Sequence, residues 1–242
     1  SPDGRTIIFD MLGDIYELPL AGGTARRLVG GMSLDTQPVY SPDGRSILFL
    51  SDRSGAENLW LMDADGSNVR QISPYDDDPV FVSPEWAPDG ESILISRFWA
   101  DRNAYELWQF RPVPGDVGEV LRSSKGAEGA DINTLGARIS PEGSEAYFAS
   151  LESKSPDFDA LTPWQIVKRD LKTGAEQFFL PAVTDEGIAV PRMRPAVSPD
   201  GQSLVFAERR GGKTALMVMD IASADLRQLG ETDPDSVLAA MT

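Results

Sequence analysis

Cysteine and histidine are both absent from the 242 residues. Without cysteine there can be no disulfide, no thiolate metal site and no cysteine nucleophile. Without histidine the chain holds no imidazole general base, no imidazole metal ligand and no Ser-His-Asp triad. Cations are scarce too: 22 Lys and Arg face 38 Asp and Glu, a formal net charge of −16. Nucleic-acid binding relies on cations that neutralise phosphates, so this balance argues against a nucleic-acid partner. No apolar run is long enough to cross a bilayer and no charged-then-apolar leader opens the chain, so a soluble chain without membrane insertion is expected. The first residue falls inside a repeat turn, which leaves the compartment and any preceding export signal open.

What the chain does have is repetition. Ser1-Pro2-Asp3-Gly4 recurs as Ser41-Pro42-Asp43-Gly44 and Ser198-Pro199-Asp200-Gly201, and in altered form as Ala87-Pro88-Asp89-Gly90 and Ser140-Pro141-Glu142-Gly143. Proline presets φ at the second position of such a turn, and glycine accepts the positive φ of the exit. The stretch Asp35 to Ser73 shows one whole unit: Gln37 to Tyr40, the turn, Ser46 to Ser51, a polar loop, Asn58 to Asp63, a second turn, and Val69 to Ile72. That pattern predicts a four-stranded antiparallel meander. Spacings of 40, 46, 53 and 58 residues between tetrads, with four strands each, are the signature of a β-propeller.

The expected fold is therefore all-β: one propeller domain over 1–242, with five recognisable blades at about 1–30, 35–73, 80–122, 135–180 and 193–230 and a remnant at 231–242. Blade one lacks its inner strand. Either Ser236 to Met241 fills that gap or the chain is part of a six-bladed ring. Phe9, Phe49, Ile95, Phe148 and Phe206 form one column of the second strands, and Ile15, Leu59, Leu107, Ile166 and Leu216 one column of the third. Both columns are expected in the core, and so are Trp60 and Trp108.

Alternation puts the turns after first and third strands on one face, and these stay short. The longer connections, Asp52 to Glu57, Ser73 to Asp78, Arg97 to Ala104, Ser123 to Thr134, Leu151 to Pro163 and Pro181 to Pro191, fall on the other face. Elaborated loops on a rigid scaffold are where binding resides, and insertions are also tolerated there at little cost. Arg97, Phe98, Trp99 and Arg102 form a cationic and aromatic mixture suited to an interface, or to local packing. Arg53, Arg97, Arg209 and Arg210 follow second strands, where a ring of guanidiniums would accept carboxylates. Asp76, Asp77 and Asp78 are the densest carboxylates and the candidate Ca²⁺ or Mg²⁺ ligands, with a solvated acidic loop as the plain alternative. Asp63 to Asn68 resembles the opening of a calcium loop but lacks its distal glutamate and sits where a hairpin turn is required. No glycine-rich loop has the strand-to-helix setting of a phosphate site, and no serine has a base to activate it. No catalytic residue and no cofactor are assigned to this chain.

The repeats resemble those of TolB-type, WD40-like propellers across nearly the whole chain. Ser1 to Asp10, Leu12 to Tyr16, Gly22 to Leu28, Asp35 to Pro38, Ser51 to Gly55, Met62 to Ser67 and Gly211 to Leu216 look closest to the amino-terminal propeller of bacterial amidohydrolase-like proteins. The resemblance implies a periplasmic or secreted accessory domain, with a metal-dependent barrel carrying the chemistry elsewhere and contacted through the long-loop face. Two other readings stand beside it: a free-standing TolB-like protein-interaction module, and a carboxylate-based hydrolase acting at the channel mouth.

Overall fold

The computed structural model describes residues 1–77, 79–126, 131–153, 164–180, 190–210 and 213–232. All regular structure among them is strand, and they fall into two compact units, Ser1–Arg122 and Ser123–Thr242. The first unit holds blade one, β1 (Thr6–Met11), β2 (Asp14–Pro19) and β3 (Arg26–Val29), and blade two, β4 (Asp35–Tyr40), β5 (Ser46–Ser51), β6 (Asn58–Asp63) and β7 (Arg70–Gln71). Blade three follows as β8 (Val80–Trp86), β9 (Ile93–Trp99), β10 (Ala104–Phe110) and β11 (Glu119–Arg122). The second unit holds blade four, β12 (Asp131–Ile139), β13 (Glu145–Ser153), β14 (Gln165–Asp170) and β15 (Glu176–Leu180), and blade five, β16 (Arg192–Val197), β17 (Ser203–Arg210), β18 (Lys213–Asp220) and β19 (Leu226–Thr232). Each sheet is an antiparallel meander in chain order. Four have four strands, and blade one has three, with β1 paired only to β2.

The tetrad turns form as their residues dictate. Gly44 takes φ 70°, and the Ser41 hydroxyl donates to Asp43 Oδ1 at 2.6 Å while accepting the Ser46 amide at 3.0 Å. Ser198 repeats this latch with Asp200 and Ser203, and Ser1 with Asp3 and Thr6. These hydrogen bonds hold the three carboxyl groups below the ordinary aspartate range, with the serine hydroxyl as the largest cause.

Packing follows the stacked columns. Phe49, Ile95, Phe148 and Phe206 are fully buried, as are Ile15, Leu59, Leu107 and Ile166. Ile8, Leu28 and Val29 of blade one close on Ile47, Phe49 and Met62 of blade two, and Leu59 and Leu61 of blade two meet Phe81 and Phe110 of blade three. Leu216 departs from its column at 47% exposed. Ile15, Leu59 and Ile166 of that column pack against the next blade of their own unit, and blade five has none after it among the described residues.

The inner strands share one irregularity that the sequence pattern does not show. Every inner strand, β4, β8, β12 and β16, slips register by a bulge at the same place. The bulged residue is left-handed: Gln37 (φ 51°), Ser83 (58°), Gly136 (67°) and Arg194 (55°), and proline follows three of the four. In the first unit each bulge amide bonds a side chain of the preceding blade: the Gln37 amide donates to Asp10 Oδ1 of β1 at 3.0 Å, and the Ser83 amide to Gln37 Oε1 of the blade-two bulge at 2.7 Å.

The longer connections also differ from expectation. β9 runs to Trp99 and β10 starts at Ala104, so the Arg97 to Ala104 segment is mostly hairpin, closed by four residues. β12 begins at Asp131 and pairs with Ser153, which brings the ends of two expected loops into strand. Extending the ladder satisfies backbone groups that a buried loop would leave open. Residues 154–163, 181–189 and 233–242, with most of the Leu151 to Pro163 and Pro181 to Pro191 connections and the whole Ser236 to Met241 segment, lie outside the described residues.

Candidate partner-binding site

Register places the candidate arginines at different levels. Ser51, Arg97, Ser150 and Glu208 are equivalent, facing Asp35, Phe81, Thr134 and Arg192 across their inner strands. Arg97 is thus inside β9 rather than after it, and the equivalents of Arg53 are Trp99, Glu152 and Arg210. The grouping of Arg53, Arg97, Arg209 and Arg210 as one set of loop residues is corrected accordingly.

Arg53 follows β5 and folds back. Its Nη2 donates to Asp35 Oδ1 at 2.6 Å and its Nε to Ser51 Oγ at 3.0 Å, while the guanidinium lies 5.2 Å from the rings of both Phe49 and Trp60. Asp35 is completely buried, so Arg53 is its counter-charge. In the second unit Arg209 and Arg210 end β17 and are exposed. The buried Glu208 lies between Arg210 Nε at 2.5 Å and Arg192 Nε at 2.8 Å.

Blade three carries the densest constellation. Arg97, 4% exposed, lies with its guanidinium carbon 4.3 Å from the Tyr75 ring, 4.3 Å from Trp99, 4.9 Å from Trp108 and 5.8 Å from Phe81. Trp99 is half-buried and has Arg102 on it as well, at 5.1 Å. Glu106, buried in β10, accepts the Trp99 indole N–H at 2.7 Å, the Trp108 indole N–H at 3.3 Å and an Arg102 Nη1 bond at 3.2 Å. Phe98 points to the other side of β9, against Tyr105 at 4.9 Å. Burial raises the Tyr75 hydroxyl pKa, although Arg97 opposes the shift.

Asp77 is turned onto this cluster. Its Oδ2 accepts Arg97 Nη2 at 3.2 Å. Asp76 is exposed and Asp78 lies outside the described residues. Among the described residues no three acidic groups gather with metal-holding spacing. Two members of the cluster escaped the sequence reading. Tyr75 sits in a loop read only for its aspartates, and Glu106, a lone acid in the apolar run Tyr105 to Phe110, was the signal that a buried polar partner existed.

A sequence model described as the TolB beta propeller domain matches residues 1–129. The chain belongs to the TolB β-propeller family. An uncharacterized protein of Agrobacterium fabrum is 36% identical over 107 residues, covering 42% of this chain and 35% of that protein. The uncharacterized peptidase YuxL of Bacillus subtilis is 30% identical over 201 residues, covering 80% of this chain and 24% of the peptidase. The chain thus spans about a quarter to a third of the curated relatives it matches. A solved TolB-type structure from Agrobacterium tumefaciens covers 96% of this chain and 78% of its own with a TM-score of 0.74, and its 20% identity speaks to the shared TolB fold alone.

Proposed function

We propose that this TolB-type propeller is a non-catalytic binding and scaffold domain, the accessory propeller of a larger hydrolase whose active site lies outside these residues. One observation carries the reading: a chain with neither histidine nor cysteine is similar to part of a peptidase in which the matched stretch is 24% of the length. The amidohydrolase-like segments fit the same reading, and any catalytic metal then belongs to the attached domain. A periplasmic or secreted location goes with it. A second reading, a free-standing TolB-like protein-interaction module, is supported by the match of the TolB beta propeller model to residues 1–129.

In both readings contact is made by the connections after second and fourth strands. In the first unit the prominent group there is the tip of the β9–β10 hairpin, with Trp99 as anchor. A titration or pull-down against the remainder of the parent polypeptide tests this with Trp99→Ala and Lys172→Ala side by side. Truncating an anchoring tryptophan is expected to weaken binding roughly thirtyfold, and Lys172→Ala to leave it unchanged. Equal loss from both variants, or loss from Lys172→Ala alone, overturns the assignment of the face.

A further inference from the structure

We infer that Arg97 is a receptor for a carboxylate of the binding partner, and that Asp77 occupies its mouth as a resident substitute. The inference rests on the binding-domain reading above and names the chemistry that the site recognises. Tyr75, Trp99 and Trp108 wall the Arg97 guanidinium at 4.3 to 4.9 Å. Aromatic rings attract the cation but accept none of its hydrogen bonds in full, so the edge N–H groups still require oxygen acceptors. Of these, Nη2 reaches Asp77 through one bond of 3.2 Å, and the enclosed Nε has no acceptor. Nε and Nη2 share one edge of the fork. That edge matches both oxygens of a carboxylate through two parallel bonds of about 2.8 Å. Asp77 makes one long bond where the edge offers two short ones, and an unanswered N–H in a buried setting is costly.

Asp77 is placed to yield and the walls are placed to stay. The Asp77 side chain is 56% exposed against 4% for Arg97, so the carboxylate is on the solvent side of the pair. Glu106, 3% exposed, fixes both indoles through their N–H groups, and the Tyr75 hydroxyl is anchored on the Val117 carbonyl at 2.5 Å. A carboxylate arriving from solvent meets Asp77 first and displaces it by forming the second bond. Its source is either a chain terminus or an Asp or Glu side chain.

The test uses the full chain and follows the Arg97 Nε–H resonance by ¹⁵N NMR together with tryptophan fluorescence. Three acetylated glycine peptides serve as probes: one with a free terminal carboxylate, one amidated with an internal aspartate, and one amidated with asparagine instead. Asp77 competes from within the chain at high effective concentration, so Asp77→Ala is expected to tighten binding of a carboxylate probe about tenfold. The Nε–H resonance should move downfield, and the responding probe identifies the source. Adding Arg97→Lys, which keeps the charge and loses the fork, is expected to weaken that binding about tenfold. No movement of the Nε–H resonance in Asp77→Ala with either carboxylate probe at about 10 mM overturns the inference, as does an equal response to the asparagine probe. Either failure leaves the binding-domain reading intact, because that reading is judged by partner capture with Trp99→Ala.

Discussion

Arg53 closes on Asp35 with 2.6 Å between Nη2 and Oδ1, and Asp35 has no exposed surface. This pair ties the start of an inner strand to the end of the second strand beside it. Removing the arginine alone leaves a buried carboxylate without its counter-charge, so Arg53→Met is expected to destabilise by about 3 kcal/mol. Arg209→Met, at an exposed strand end, should stay within about 0.5 kcal/mol of the parent. Urea unfolding of the two variants checks the contrast.

The bulges predict stabilising substitutions. Ser83 and Arg194 hold left-handed backbone where the equivalent position of blade four is Gly136. Relief of that strain outweighs the extra freedom glycine gains when unfolded, so Ser83→Gly and Arg194→Gly are each expected to add about 0.5 kcal/mol. Gln37→Gly should fail to stabilise, because it also removes the acceptor of the Ser83 amide. Midpoints of denaturation for the three variants provide the comparison.

Gly66 and Gly55 test close approach against backbone angle. Both have positive φ, but a Cβ on Gly66 would stand 2.7 Å from the Leu28 carbonyl oxygen, whereas nothing lies within 4 Å of one on Gly55. Gly55→Ala is expected to cost about 1 kcal/mol from conformation alone, and Gly66→Ala at least about 2 kcal/mol. Equal losses in thermal unfolding would mean that the approach of blade one to the Gly66 turn is not tight.

The tetrad turns carry a pH dependence of definite sign. Asp3, Asp43 and Asp200 have folded pKa values below those of the unfolded chain. Their contribution is complete above the ordinary aspartate pKa of about 3.9 and is lost as pH falls through the lowered folded values. Ser41→Ala removes the main cause for Asp43, so its carboxyl should titrate closer to the ordinary value, read from side-chain carbon shifts in NMR.

The meanders were legible in the sequence because turns and strands advertise themselves locally. Ser41 to Gly44 names its own geometry, and Phe49 or Phe206 marks a buried face by position. The inner-strand bulges were hidden because Gln37-Pro38 and Arg194-Pro195 read as ordinary residues before proline, and their angle is imposed by pairing with the second strand. The site was legible by composition and misread by place. Arg97 to Arg102 looked like a loop because charges interrupt the apolar pattern, yet Arg97 belongs to β9 and turns inward among the rings beside Asp77, while Asp101 and Arg102 stay exposed in the connection to β10, where Arg102 bonds Glu106.

The linked bulges bear on how such a chain can be rearranged. Asp10 accepts the amide of Gln37, and Gln37 in turn accepts that of Ser83, so blades one and two each offer their successor an acceptor cut to one position. The first three blades are therefore alike in outline without being interchangeable. A transposed copy would keep its own hydrogen-bond ladder and arrive beside a neighbour that does not present the matching group. Their order is written in these side chains as well as in the continuity of the chain.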